Sequence, residues 1–185
     1  MISADDSLEN RTGGARVLVL LDVRNITANQ NRAYCNAVID YGRLRQLALD
    51  GGEQVAAIAV DSLVEEGHRD TAAIFHRQLE ANGFELLLQS KPPEAIKQVG
   101  VDVAITVIAM KYAAAGACDR VVLISGDGDF APLSRGLREY GIEVRVMSFG
   151  VSLSRTLRES ADSAIILDDV PLVRMLQGAI PQEVA

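Results

Sequence analysis

Ser125-Gly126-Asp127-Gly128-Asp129-Phe130 sets two carboxylates two residues apart on a glycine-loosened turn. The turn follows an apolar run, Val121-Val122-Leu123-Ile124, and precedes a helix-like segment from Ala131 to Tyr140. Paired acids at the end of a buried strand suit a hard divalent cation, which prefers oxygen ligands. A second acidic strand end lies upstream, in Leu18-Val19-Leu20-Leu21-Asp22, with Asn25 three residues later. A fourth acid, Asp102, stands at a helix start in Gly100-Val101-Asp102-Val103-Ala104. Grouped acids repel one another unless a cation offsets their charge. With Mg²⁺ or Mn²⁺, the chemistry they suit is metal-assisted attack of water on a phosphodiester. Asp22, Asp102, Asp127 and Asp129 are therefore the candidate metal ligands and catalytic acids, and one of them could act as base toward the water. Asn25 and Ser125 are the candidate neutral contacts to water or phosphate.

These residues act together only if the fold converges them. Val17 to Leu21 is a continuous apolar run, as expected of a strand buried on both faces. Further strands are expected at Gln54–Val60, Phe84–Leu88, Arg120–Ile124 and Ile142–Met147, with a short sixth at Ile165–Leu167. Helices are expected at Arg32–Leu49, where Ala33, Ala37, Tyr41, Leu44 and Ala48 share helical spacing, and at Glu65–Ala81, Val101–Ala115, Ala131–Tyr140, Ser152–Ser160 and Val170–Leu176. Ser152 is the expected cap of its helix. Strands alternating with helices imply a parallel sheet covered on both faces. In the order 3-2-1-4-5 the first and fourth strands are neighbours. Asp22 and Asp127 then meet at adjacent carboxyl ends, where open α/β sheets bind their ligands.

The remaining charged residues carry less. A lone Asp at a strand end or helix start is an ordinary turn former or cap. His68 and His76 fall in a helix expected to lie away from that edge. Arg24, Lys91, Lys97 and Arg135 lie near the expected mouth in sequence terms, as solvated surface or as guides for phosphate. Glu65-Glu66 and Asp168-Asp169 read as helix-start acids. Ser90 to Gly100, broken by Lys91-Pro92-Pro93, reads as a loop beside the pocket. Cys35 and Cys118 lack metal-ligand spacing and read as buried thiols of a reducing compartment.

The chain has 185 residues, 49 % hydrophobic and 23 % charged, enough for one globular core between an N-terminal flexible tail (1–15) and a C-terminal tail (178–185). A net charge of −7 and only 4 % aromatics argue against a broad phosphate-binding face or a base-stacking platform. The acidic N-terminus carries no signal-peptide pattern, and Ile105–Gly116 is apolar but too short to span a membrane and is interrupted by Lys111; a cytoplasmic location is expected. The fifth-strand edge or the terminal helix could support a homodimer. A haloacid-dehalogenase-type phosphatase needs a second Asp where Arg24 stands, and no P-loop is present.

Four segments in order carry a resemblance: Leu20-Leu21-Asp22-Val23-Arg24-Asn25, Gly100-Val101-Asp102-Val103, Ser125-Gly126-Asp127-Gly128-Asp129-Phe130-Ala131-Pro132-Leu133, and Leu153 to Asp162. Together they resemble the NYN domain, of the LabA-like branch, within the PIN-like nuclease superfamily, over about residues 16 to 167. The resemblance implies a Rossmann-like three-layer α/β/α sandwich, a Mg²⁺ or Mn²⁺ site, and cleavage of RNA. The family acids carry over onto Asp22, Asp102, Asp127 and Asp129, with Asn25 as polar partner. Two positions depart: Val99 stands where the family often has Lys, and Ile108 where many members have a further acid. Both departures weaken phosphate or metal binding. The expected function is thus a metal-dependent ribonuclease; the alternatives are a regulatory or RNA/protein-binding module with a vestigial metal site, or a hydrolase of small phosphoesters.

Overall fold

The computed structural model describes residues 14–33, 37–62, 69–90, 100–170 and 173–175. Six parallel strands form one sheet: β1 (Arg16–Asp22), β3 (Glu53–Ser62), β4 (Glu85–Gln89), β5 (Arg120–Ile124), β6 (Glu143–Ser148) and β7 (Ser163–Ile166). Their order is β4-β3-β1-β5-β6-β7. This is the order expected for the first five, with the short sixth strand added at the end. β1 lies at the centre, hydrogen-bonded to β3 and β5, with Asp22 opposite Val60 and Leu21 opposite Ile124.

Side chains alternate across the sheet, so each strand feeds two cores. Val17, Val19 and Leu21 of β1 join Ala57, Ala59, Val122 and Ile124 under helices α1 (Val23–Ala33), α2 (Tyr41–Leu49) and α3 (Arg69–Ala81). Leu18 and Leu20 join Ala56, Ile58, Val60, Val121 and Leu123 under α4 (Val101–Ala114), α5 (Ala131–Glu139) and α6 (Arg155–Ser160). The result is the three-layer α/β/α sandwich. Leu18, Leu20 and Leu21 are fully buried, and each such side chain stabilises the fold by roughly 2 kcal/mol. None of the described helices is long and apolar enough to cross a membrane.

The structure corrects four local expectations. The helix expected over Arg32–Leu49 is divided: α1 ends at Ala33, a strand β2 (Ala37–Ile39) follows, and α2 starts afresh at Tyr41. Asp40 caps α2 by accepting the Arg43 N–H at 3.0 Å. Where a terminal helix is expected over Val170–Leu176, a strand β8 (Val173–Met175) follows a 3₁₀ turn (Leu167–Asp169) and pairs antiparallel with β2. Ser152 does not cap α6; its hydroxyl meets Ser148 and the Phe149 carbonyl, and the helix begins after Ser154. The edge of β6 is covered by β7, so that edge is not open to a second copy. Residues 1–13 of the expected N-terminal tail and the whole expected C-terminal tail (178–185) lie outside the described residues. So do Cys35, His68, Lys91, Lys97 and Val99.

Candidate metal centre

Asp22 ends β1 with its side chain on the α4 side of the sheet and is 4 % exposed. Its Oδ1 accepts the Asn25 N–H at 3.1 Å, which caps the first turn of α1. Its Oδ2 accepts the Ser125 hydroxyl at 3.1 Å. Ser125 follows β5, the neighbouring strand, and is fully buried. Its Oγ also accepts the Asp127 N–H at 3.2 Å. Asn25 in turn accepts the Gly126 N–H through Oδ1 at 2.9 Å. The acidic loop after β5 is thus fastened by side chains of β1 and α1.

Two glycines let this loop sit so close. A Cβ at Gly126 would collide with the Ser152 carbonyl oxygen and lie 2.6 Å from Ser148 Oγ. One at Gly128 would lie 2.6 Å from Ser154 Oγ. Asp127 then folds back, and its Oδ1 accepts the Asp129 N–H at 3.0 Å, capping a 3₁₀ turn over Gly128–Phe130. That turn runs directly into α5, with Pro132 in its first turn where no N–H is needed.

α4 supplies the third wall. It begins after Gly100, whose φ of 113° favours glycine, and places Asp102 in its first turn. Asp102, Asp127 and Asp129 each offer a carboxylate oxygen, and these oxygens all lie within 4.8 Å of one another. Asp102 and Asp127 are half-buried and Asp129 is exposed. Burial, then the charges of Asp127 and Asp129, push the Asp102 carboxyl above its usual range. Asp22 stands behind this triad. Burial lifts its pKa to about 6, against the stabilising Asn25 and Ser125 hydrogen bonds, with the charges of Asp102 and Asp127 adding to the rise. Three converging carboxylates with no cationic side chain among them form a hard, anionic donor set, which fits an oxygen-seeking divalent ion.

All six residues singled out in the sequence therefore lie at one carboxyl edge. Asp102, Asp127 and Asp129 converge directly. Asp22, Asn25 and Ser125 form the hydrogen-bonded layer beneath them. Arg135 does not belong here: with Gly141 and Glu143 it lines a depression at the amino end of β6. Ile108 lies half-buried against the α4-side core.

One charged group was missed. Asp61, near the end of β3, is buried and accepts from Arg24 Nε at 2.9 Å and from the Ser62 N–H at 2.7 Å. His76 Nε2 lies 2.9 Å from its other oxygen, so His76 reaches this edge after all. The signal was present: Asp61 follows the apolar run Ala56–Val60 just as Asp22 follows Val17–Leu21.

The chain resembles a solved structure, that of a protein of unknown function from Vibrio parahaemolyticus, with 29 % sequence identity and a TM-score of 0.75 over 86 % of this chain and 97 % of that one. No curated protein matches it. The NYN domain profile matches residues 16–168, from the first residue of β1 into the 3₁₀ turn after β7. By that match, and with an acidic cluster at the carboxyl edge of its sheet, this chain belongs to the nuclease-like NYN domain family.

Proposed function

We propose that the protein is a metal-dependent ribonuclease that hydrolyses RNA phosphodiesters at this edge. The observation that carries the proposal is the convergence of Asp102, Asp127 and Asp129 in front of the buried Asp22. Asp102, Asp127 and Asp129 would hold Mg²⁺ or Mn²⁺, with Asp22 completing the set. Bound there, the ion supplies Lewis acidity toward water and neutralises charge on the phosphate. Asp22 has a second capacity. As the most buried of the four acids, it is the candidate base toward an attacking water. Ser125 and the Asn25 carbonyl oxygen hold Asp22 and the loop in place, and the Asn25 Nδ2 amide is left to meet a phosphate oxygen. RNA as substrate rests on the family, which is nuclease-like.

The test is cleavage of single-stranded RNA with Mn²⁺ by the native chain and by Asp22→Asn and Asp127→Asn. Each variant should retain the native circular dichroism and lose at least ~100-fold in rate, the scale expected for a single catalytic group. Undiminished cleavage in these variants overturns the mechanism.

One observation favours a second reading, a binding or regulatory module. Ile108 contributes an apolar side chain to the core where many family members carry a further acid. Calorimetric titration separates the two readings: Mn²⁺ affinity no better than millimolar supports the module.

A further inference from the structure

The carboxyl edge holds a second charged group that the acidic triad does not use. Asp61 follows Val60, the residue paired with Asp22, and faces the opposite helical layer, and its side chain is 5 % exposed. The Ser62 N–H, Arg24 Nε and His76 Nε2 surround its carboxylate at 2.7, 2.9 and 2.9 Å. Arg24 differs from its partner in being 41 % exposed. It sits in the first turn of α1, two positions after Asp22, where the helix amino end adds positive potential.

The manner of the pairing is informative. An arginine that only neutralises a carboxylate does so best through two parallel N–H bonds. Arg24 uses Nε alone, and among the described residues its two Nη groups have no partner. The guanidinium is therefore held through Nε by a buried, fully engaged anion, while the side chain is 41 % exposed and its forked end keeps its donors. A pre-oriented fork of this kind matches the geometry of a phosphate.

Resting on the ribonuclease reading, we propose that Arg24 is a preformed clamp for a backbone phosphate of the RNA strand. That phosphate flanks the one at the acidic triad. The chain is acidic overall, and the triad itself repels phosphate until a cation is bound, so a fixed cation at the same carboxyl edge supplies attraction the ion alone does not. Asp61 and His76 are positioning residues: they hold the guanidinium so that little side-chain freedom is lost when RNA arrives. Contact with a phosphate carries no base information, so the clamp acts on any RNA sequence.

The experiment uses the full chain, Mn²⁺ and a fluorescein-labelled oligouridylate, following anisotropy and single-turnover cleavage across a salt series. Arg24→Gln should raise the half-saturating protein concentration about fivefold, as for loss of one charge-assisted contact. It should lower the salt slope by about 0.7, as for loss of one phosphate contact on a single strand. Mn²⁺ affinity by calorimetry should not change. Arg24→Lys, which keeps the charge but not the fork, should recover part of both losses, and it serves as the test if Arg24→Gln does not fold. Asp61→Asn should weaken RNA binding in the native background and have no effect in Arg24→Gln; equal effects in both overturn the positioning role. Equal half-saturation and slope in the native chain and the Arg24 variants overturn the clamp and leave the ribonuclease standing. Arg24-dependent binding without cleavage overturns the ribonuclease and keeps the clamp. Absence of RNA binding by the native chain overturns both.

Discussion

The Ser125 hydroxyl donates to Oδ2 of Asp22 across 3.1 Å, joining residues 103 positions apart in the chain. The bond ties the carboxyl ends of two adjacent parallel strands, and it leaves the Asp22 carboxylate dry, held and surrounded by other acids. Much of the expected behaviour of the site follows from that placement.

Asp22 makes stability depend on pH in an unusual sense. Its pKa in the folded chain is raised from 3.8 to about 6, so the folded state binds more protons than the unfolded state between those values. Stability from this group is complete below about pH 4 and is lost as pH rises through about 6. In EDTA, Asp22→Asn should therefore gain on the native chain by ~1–3 kcal/mol between pH 4 and pH 7.5. Urea unfolding of both proteins at the two pH values measures it; a constant difference contradicts the assignment.

Divalent ions should reverse that penalty. Any ligand that binds only the folded state stabilises it by mass action, ~2.7 kcal/mol at a hundredfold excess over its dissociation constant. Mn²⁺ added to the EDTA-treated chain should raise Tm by several degrees. Asp127→Asn or Asp129→Asn should remove most of the shift. Thermal scans with and without Mn²⁺ check this, and an unchanged shift in both variants argues against the triad.

The two loop glycines should differ in tolerance. At Gly126 a methyl group meets the Ser152 backbone, which cannot rotate away, so Gly126→Ala should cost ~2–3 kcal/mol and displace the acidic loop. At Gly128 the obstacles are the Ser154 and Thr156 hydroxyls, which can turn, so Gly128→Ala should cost nearer ~1 kcal/mol. Chemical denaturation orders the two, and Mn²⁺ titration of Gly126→Ala reports the displacement.

Asn25 should matter to stability as well as to activity. Asn25→Ala leaves the buried Gly126 N–H without its acceptor, a loss of ~1–3 kcal/mol. Asn25→Asp keeps an acceptor at that place and should lose less in a metal-free urea titration, though it adds a negative charge beside Asp22.

The central strands were legible because buried parallel strands are written as unbroken apolar runs, and Val17–Leu21 and Val121–Ile124 are such runs. An acid following each was therefore visible, and the strand order brought the two together. The helix over Arg32–Leu49 failed for a different reason. Tyr41, Leu44 and Ala48 do form the buried face of α2, but the segment before them pairs with β8, and a long-range pairing leaves no local period to read. α1 was missed because Val23–Ala33 carries three Asn, weak helix formers; its first turn is organised by the Asp22 carboxylate, a tertiary landmark. The Asp61 group escaped because its meaning depends on Arg24 and His76, which reach it from two different helices.

The loop that presents Asp127 and Asp129 is anchored at its start through both backbone groups of Gly126: the N–H is held by Asn25, and the carbonyl accepts the Ser154 N–H at 2.9 Å. Such a loop has little room to breathe. Mg²⁺ and Mn²⁺ bind at short range in near-octahedral geometry, whereas Ca²⁺ wants more oxygens at longer range and a cage that yields. If a divalent ion is bound as proposed, the stiffness that fixes the acids would act as a filter on ionic radius, with selectivity built from the backbone rather than from the ligands themselves.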